Sequence, residues 1–151
     1  MQINTKYFGS VNYGEEDVIS FPNGLFGFER ETAFLLLPFE GSGGSLLCFQ
    51  SVQTPSLAFV AMDPFALYPA YAPVLTSEEL RFLGARVSQD LCYYVLCVVR
   101  DPVSESTVNL RCPIVIHPGH RTAIQVILED TEYHMRHRLG DFSAEVVCNP
   151  C

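Results

Sequence analysis

Four histidines fall within one stretch of the chain, at positions 117, 120, 134 and 137, and both pairs are spaced i, i+3. Glu129, Asp130 and Glu132 stand between the pairs. Imidazole and carboxylate are ligands for zinc and similar metals, so His117, His120 and His134 with Glu129 or Asp130 define one functional alternative, a metal-binding module or small metalloenzyme. Two features oppose it. His117 and His120 flank Pro118-Gly119, a turn, where this spacing is not expected to give the shared face that a helix gives. Arg121, Arg136 and Arg138 lie nearby in sequence and would repel a cation. A solvated loop with surface ion pairs is the favoured reading, and no metal is expected. Cys112 with His117 or His134 is the other reactive arrangement. Cys112 falls on the apolar side of an alternating run, which predicts an inert core thiol.

The remaining chemistry is sparse. Cys48, Cys92, Cys97 and Cys112 sit in apolar strand-like runs and read as small hydrophobes in a reducing compartment. Cys148 and Cys151 form a terminal CxxC with no second such pair and no βαβ pattern before it. No GxxxxGK[ST], GxGxxG or GxSxG run is present. Lys6 is the single lysine, in a solvent-facing strand pattern. No catalytic residue and no cofactor is therefore expected.

The net charge is −8, and residues 1–75 set only Lys6 and Arg30 against Glu15, Glu16, Asp17, Glu29, Glu31, Glu40 and Asp63. Such a surface repels phosphate backbones, so direct nucleic-acid binding is not expected, and it suits solubility or a basic partner. The N-terminus lacks the apolar core of a signal peptide. The longest apolar run, Leu91 to Val99, is less than half the ~20 residues a spanning helix needs. A cytoplasmic protein that does not enter membranes is expected.

The elements that must position any site are mostly strands. Val, Ile, Phe and Tyr are abundant, and ten Gly and ten Pro punctuate the chain. Strands are predicted from Ile3 to Tyr7, Val18 to Phe21, Phe34 to Phe39, Leu46 to Val52, Leu57 to Met62, Leu91 to Val99, Val108 to Cys112, Ile114 to Ile116 and Ile124 to Leu128. Leu91 to Val99 is apolar on both faces, so it is predicted to be central. One helix is predicted at 77–83, with Thr76 as N-cap, Glu79 completing a capping box and Gly84 as the stop. Three prolines between Asp63 and Pro73 forbid a regular element there. One domain over 1–151 is expected, an all-β, compact antiparallel barrel-like fold with that one short helix. Residues 140–151 are expected to form a flexible C-terminal tail.

Several blocks in order resemble the FliW family, the flagellar assembly factors of bacteria. They are Thr5-Lys6-Tyr7-Phe8-Gly9, Ile19 through Phe28, Phe49-Gln50-Ser51-Val52, Leu57-Ala58-Phe59, Asp63-Pro64-Phe65, Tyr68-Pro69-Ala70-Tyr71, Thr107 through Leu110, Pro113 through Ile116 and Gln125 through Leu128. Each block is weak alone; their order and spacing together are specific. Two positions depart from the family pattern: His117, where Asn is usual, and Ala123, where Gly is frequent.

The resemblance implies a barrel-like β fold without catalytic activity and two protein partners. One is flagellin. The other is CsrA, an RNA-binding translational regulator whose repression of flagellin synthesis the family relieves. The chain is expected to be monomeric alone. Apolar residues on irregular segments are the contact candidates: Phe65, Tyr68 and Tyr71 in the proline-rich loop, with Asp63 at its start. Phe26 and Phe28 are expected to plug an open end of the barrel instead.

Overall fold

The computed structural model describes residues 1–129 and 131–142. Along the chain they form β1 (Gln2–Asn4), β2 (Ser10–Asn12), β3 (Ile19–Ser20), β4 (Ala33–Pro38), β5 (Leu46–Ser51), β6 (Ala58–Met62), α1 (Pro64–Leu67), α2 (Ser77–Leu83), β7 (Cys92–Val98), β8 (Thr107–Val108), β9 (Ile114–His117), β10 (Thr122–Gln125) and β11 (His137–Arg138). Strands β7, β6, β5, β4, β3, β10 and β9 are hydrogen-bonded in that order, and β9 returns to β7. The sheet therefore closes on itself as a seven-strand barrel, so those seven strands leave no open sheet edge among themselves, while β8 and β11 extend outward from β7. Pairing is antiparallel except where Thr122 of β10 meets Ser20 of β3.

Two cores share one wall. Inside the barrel Phe21, Phe34 and Phe49 meet edge to face, with ring centroids 5.0, 5.8 and 6.4 Å apart, beside Ile19, Ile114 and Ile116. Such tilted pairs favour the quadrupoles of the rings as well as burying their area. The second core lies outside the barrel wall and holds Tyr71, Leu83, Tyr93, Val95, Val108, Val115, Ile124 and Leu139. Alternation along the strands divides the residues: Tyr94 and Leu96 of β7 pack with the first core, Tyr93 and Val95 with the second. That is why Tyr93 to Leu96 read as apolar on both faces; Cys92, Val98 and Val99 of the same apolar run are exposed. Strand β7 is central as expected, pairing with β6, with β9 and with β8.

Helix α2 matches its predicted limits. Thr76 Oγ1 accepts the Glu79 N–H at 3.1 Å, Glu79 Oε1 accepts the Thr76 N–H at 2.8 Å, and Gly84 closes the helix at φ 74°. Gly24 is demanded by space as well as by φ 64°, since a Cβ there would lie 2.5 Å from the Phe28 carbonyl oxygen.

Several expected elements differ. The first strand ends at Asn4, because Thr5 turns back to receive the Phe8 N–H and to bond Gly9 O. The strand expected to run to Cys112 stops at Val108, because the Asn109 side chain accepts the Cys112 N–H at 2.9 Å and forms a side-chain turn. The strand expected from Ile124 to Leu128 spans 122–125 instead. The proline-rich loop does hold a regular element, the single turn α1, because Pro64 sits at the first helical position, where a missing N–H costs nothing. Before the expected 140–151 tail stands β11, and Phe142 packs against the second core; the rest of that tail, residues 143–151 with Cys148 and Cys151, lies outside the described residues. Phe26 is 49% exposed and Phe28 40%, so they do not plug the barrel. They flank a tight turn closed between Leu25 and Phe28, which aims Phe26 outward and sets Phe28 on the edge of Phe59 at 5.0 Å. Of the four described cysteines, all free, Cys92 is exposed rather than in the core.

Gln50 fastens three segments from a fully buried position. Its Oε1 accepts the Lys6 N–H at 2.9 Å, which ties the β1–β2 hairpin to the barrel, and its Nε2 donates to Pro55 O at 2.9 Å and Leu57 O at 3.2 Å. Replacing Gln50 by Leu keeps the volume and strands these polar groups. Gln50→Leu is expected to lower stability by about 2–3 kcal/mol in urea unfolding, with an unchanged m-value and faster exchange of the Lys6 amide.

Candidate functional site

The loop between β6 and α2 begins with a capped turn. Asp63 Oδ1 accepts the Phe65 N–H at 2.9 Å, and Pro64 fixes φ for the first residue of α1. Phe65 is thereby held with its ring 39% exposed, 5.9 Å from Tyr93 at an 89° tilt and 5.7 Å from Tyr71. Beside it opens a groove of about 350 Å³, lined by Phe65, Pro73, Ser88, Gln89, Leu91 and Tyr93. Val74 and Val87, both exposed, follow Pro73 and precede Ser88 in the chain. The Tyr93 hydroxyl donates to Ser88 O at 3.1 Å and so ties two of the groove's lining residues together.

The predicted contact residues part into two roles. Phe65 faces solvent, Tyr68 is half-buried with its ring 6.0 Å from Phe142, and Asp63 is spent on the cap. Tyr71 is buried at 4% exposure, and its hydroxyl donates to Leu110 O at 2.6 Å. Burial pushes its phenol well above the ordinary tyrosine range. Its ring lies 4.8 Å from Tyr133, whose hydroxyl accepts the Ala72 N–H at 2.9 Å. Tyr71 thus anchors the loop from below while Phe65 and Tyr68 form its outer part. Leu91, Tyr93 and Tyr133 were not singled out from sequence. Alternation marks Tyr93 as buried, but nothing local shows that a distant loop covers that face.

The histidines behave differently from expectation. The turn at 118–119 does bring His117 and His120 together, with rings 3.9 Å apart and 9° from parallel. The His120 N–H donates to His117 Nδ1 at 3.1 Å, and His120 Nδ1 lies 3.2 Å from Leu83 O at the end of α2. A stacked pair is side by side instead of convergent, and these bonds occupy one nitrogen of each ring. His134 is paired with His137 instead, its N–H donating to His137 Nε2 at 2.7 Å. Among the described residues no three His, Cys, Asp or Glu side chains gather to hold a metal. Glu129 is exposed, and Asp130 lies outside the described residues. Cys112 is buried, and burial raises its thiol pKa, which opposes use as a nucleophile. Among the described residues no helix is long and apolar enough to cross a membrane.

The family model described as FliW protein matches residues 2–139. The chain belongs to the FliW family. The flagellar assembly factor FliW of Geobacillus kaustophilus is 41% identical over 139 residues, covering 92% of this chain and 95% of that protein. The FliW of Heliobacterium modesticaldum is 37% identical over 149 residues, covering 99% and 97%. A crystal structure of the flagellar assembly factor FliW superposes with a TM-score of 0.86 at 40% identity, covering 92% of this chain and 96% of that one. The capped α1 turn and the aromatic loop fall inside the matched FliW region, and the segment after Leu139 falls outside it.

The buried phenol and thiols give a signed pH dependence. Burial raises Tyr71 well above its ordinary 10, and raises Cys97 from 9 to about 11. Groups that ionise later in the folded state contribute stability that is whole below the unfolded pKa and is lost as pH rises towards the folded one. The unfolding midpoint is expected to fall from pH 9 upward in urea titrations. Tyr71→Phe is expected to cost about 1–2 kcal/mol at pH 7, because Leu110 O loses its donor, and to flatten the decline above pH 10.

Proposed function

We propose that this chain acts without catalysis, as a cytoplasmic protein-binding regulator of flagellar assembly. Its partners are flagellin and a CsrA-type RNA-binding translational regulator. Binding the regulator relieves repression of flagellin synthesis, and accumulating flagellin reverses this by competing for the chain. Membership of a family whose curated relatives carry the name flagellar assembly factor supports this reading. The observation that carries it to a site is the Asp63-capped turn, which holds the Phe65 ring partly in solvent at the mouth of an apolar groove.

A rigid aromatic beside a groove has the properties of an interface centre: large contact area and little side-chain entropy to lose. The contact set is Phe65 and Tyr68. Asp63 and Tyr71 fix the loop on which those two stand. The −8 charge speeds encounter with a basic partner and disfavours incoming RNA phosphate within about 8 Å at physiological salt, while apolar contacts supply affinity.

The test is binding of the purified chain to flagellin, to the regulator, and to both together. Phe65→Ala and Tyr68→Ala proteins that retain the wild-type circular dichroism are expected to bind at least one partner about tenfold or more weakly. Unchanged Kd for both partners in both folded variants would remove this loop from the account. Antagonism of RNA binding is expected to weaken at several hundred millimolar salt; undiminished antagonism there would leave charge no part.

A further inference from the structure

Residues 133–142 cross the outer side of the second core as a strap and hold the aromatic loop at two points. At one, the Tyr133 hydroxyl accepts the Ala72 N–H and its ring lies 4.8 Å from Tyr71. At the other, Leu139 is buried with its N–H bonded to Ser106 O at 2.8 Å, and Phe142 lies 6.0 Å from Tyr68. Between these anchors the chain turns at 134–137. That turn is closed by the His134 N–H donating to His137 Nε2 at 2.7 Å. A ring nitrogen that accepts carries no proton, so His137 is neutral here with its proton on Nδ1. A proton on Nε2 would set two donors face to face and break the bond that shapes the turn.

We propose that His137 is a proton-sensitive latch: protonation of Nε2 opens the 134–137 turn and loosens the strap from the loop that carries Phe65 and Tyr68. The surroundings favour the neutral ring. On its own segment His137 faces His134, with rings 5.2 Å apart, and Phe142 at 6.2 Å. Asp141, also on the segment, is engaged by Arg138 at 3.6 Å, and Arg138 reaches Glu105 at 3.3 Å. Across the sheet His137 pairs with Val108, which pairs in turn with Cys97, whose thiol burial keeps protonated to about pH 11. Burial lowers the imidazole pKa from 6.5 and His134 lowers it further, while Asp141 opposes both. A lowered folded pKa gives stability that is whole above 6.5 and is lost as pH falls below it, while the unfolded chain protonates first. The latch itself is independent of the partners; only its effect on docking rests on the proposed function.

Amide exchange of the whole chain at pH 7.5 and 5.5, corrected for intrinsic rates, tests the latch. Protection at Ala72, His134 and Leu139 is expected to drop about tenfold on acidification relative to amides of β4 and β5. His137→Gln offers an acceptor that does not titrate, and is expected to abolish the drop. His134→Asn keeps the backbone donor and the imidazole acceptor, and is expected to retain it. Uniform protection across the two pH values in the wild type, or an unchanged drop in His137→Gln, would overturn the latch. So would a His137 titration midpoint above 6.5 by NMR. A strap that opens with acid while partner affinity stays constant would sink the docking role of the loop and leave the latch standing.

Discussion

The middle of strand β7, Tyr93 to Leu96, must be dry on both faces, and the rest of the architecture follows from that requirement. A sheet strand with one wet face alternates apolar and polar side chains. From Tyr93 to Leu96 no side chain is polar enough to face water freely, and all four are buried or partly so. The barrel interior takes Tyr94 and Leu96. Something outside the barrel has to take Tyr93 and Val95, and that is the layer made of α1, α2, the loop between them, β8 and the 133–142 strap. The candidate site is thus a by-product of covering a wall: the loop carries aromatic rings because it must bury tyrosine and valine beneath it. Phe65 remains partly uncovered because it stands at the margin of that cover, where the groove begins.

What the sequence reveals about this arrangement depends on how local the physics is. The α2 helix was legible to the residue, since capping box and glycine stop are set by neighbours three and four positions apart. The strands with period-two patterns were legible in position but not in length. Their ends are set by side chains that capture nearby backbone groups, such as Thr5 and Asn109. Between 63 and 73 proline does not forbid a helix, because it breaks one from within but suits its first position, and Pro64 occupies that position. The pairing of His117 with His120 was missed because it depends on the turn's three-dimensional course and on Leu83, 37 residues earlier. Gln50 stood out in sequence only as part of a motif; its partners, Lys6 and the 55–57 loop, lie on separate segments.

The site residues show the same division. Asp63, Phe65, Tyr68 and Tyr71 were grouped by being aromatic or polar on an irregular segment, a criterion blind to which ring turns inward. A tyrosine hydroxyl needs a hydrogen-bond partner, and for Tyr71 a buried backbone carbonyl supplies it in place of water. That single bond moves Tyr71 from the surface to the foundation of the loop. Its counterpart Tyr133 was invisible from sequence, because 61 residues separate it from the Ala72 amide it receives.

Fixing the loop in this way bears on how it can recognise a protein. A free loop of some ten residues would lose backbone and side-chain freedom on docking, an ordering cost that subtracts from affinity. Here that cost is met at folding. The Asp63 cap, the Tyr71 bond to Leu110 and the Tyr133 bond to Ala72 hold three points of the loop before any partner arrives. On the proposed function, contacts made by Phe65 and Tyr68 would then convert more fully into binding energy. The same fixation makes the surface switchable by few groups, since a loop held at discrete points can be loosened at one of them. Acidic charge works on a different step: it acts at long range and is screened within about a nanometre, so it governs encounter more than residence. On the proposed function, apolar rigidity and diffuse charge would therefore divide the work between dissociation and association, and salt separates the two experimentally.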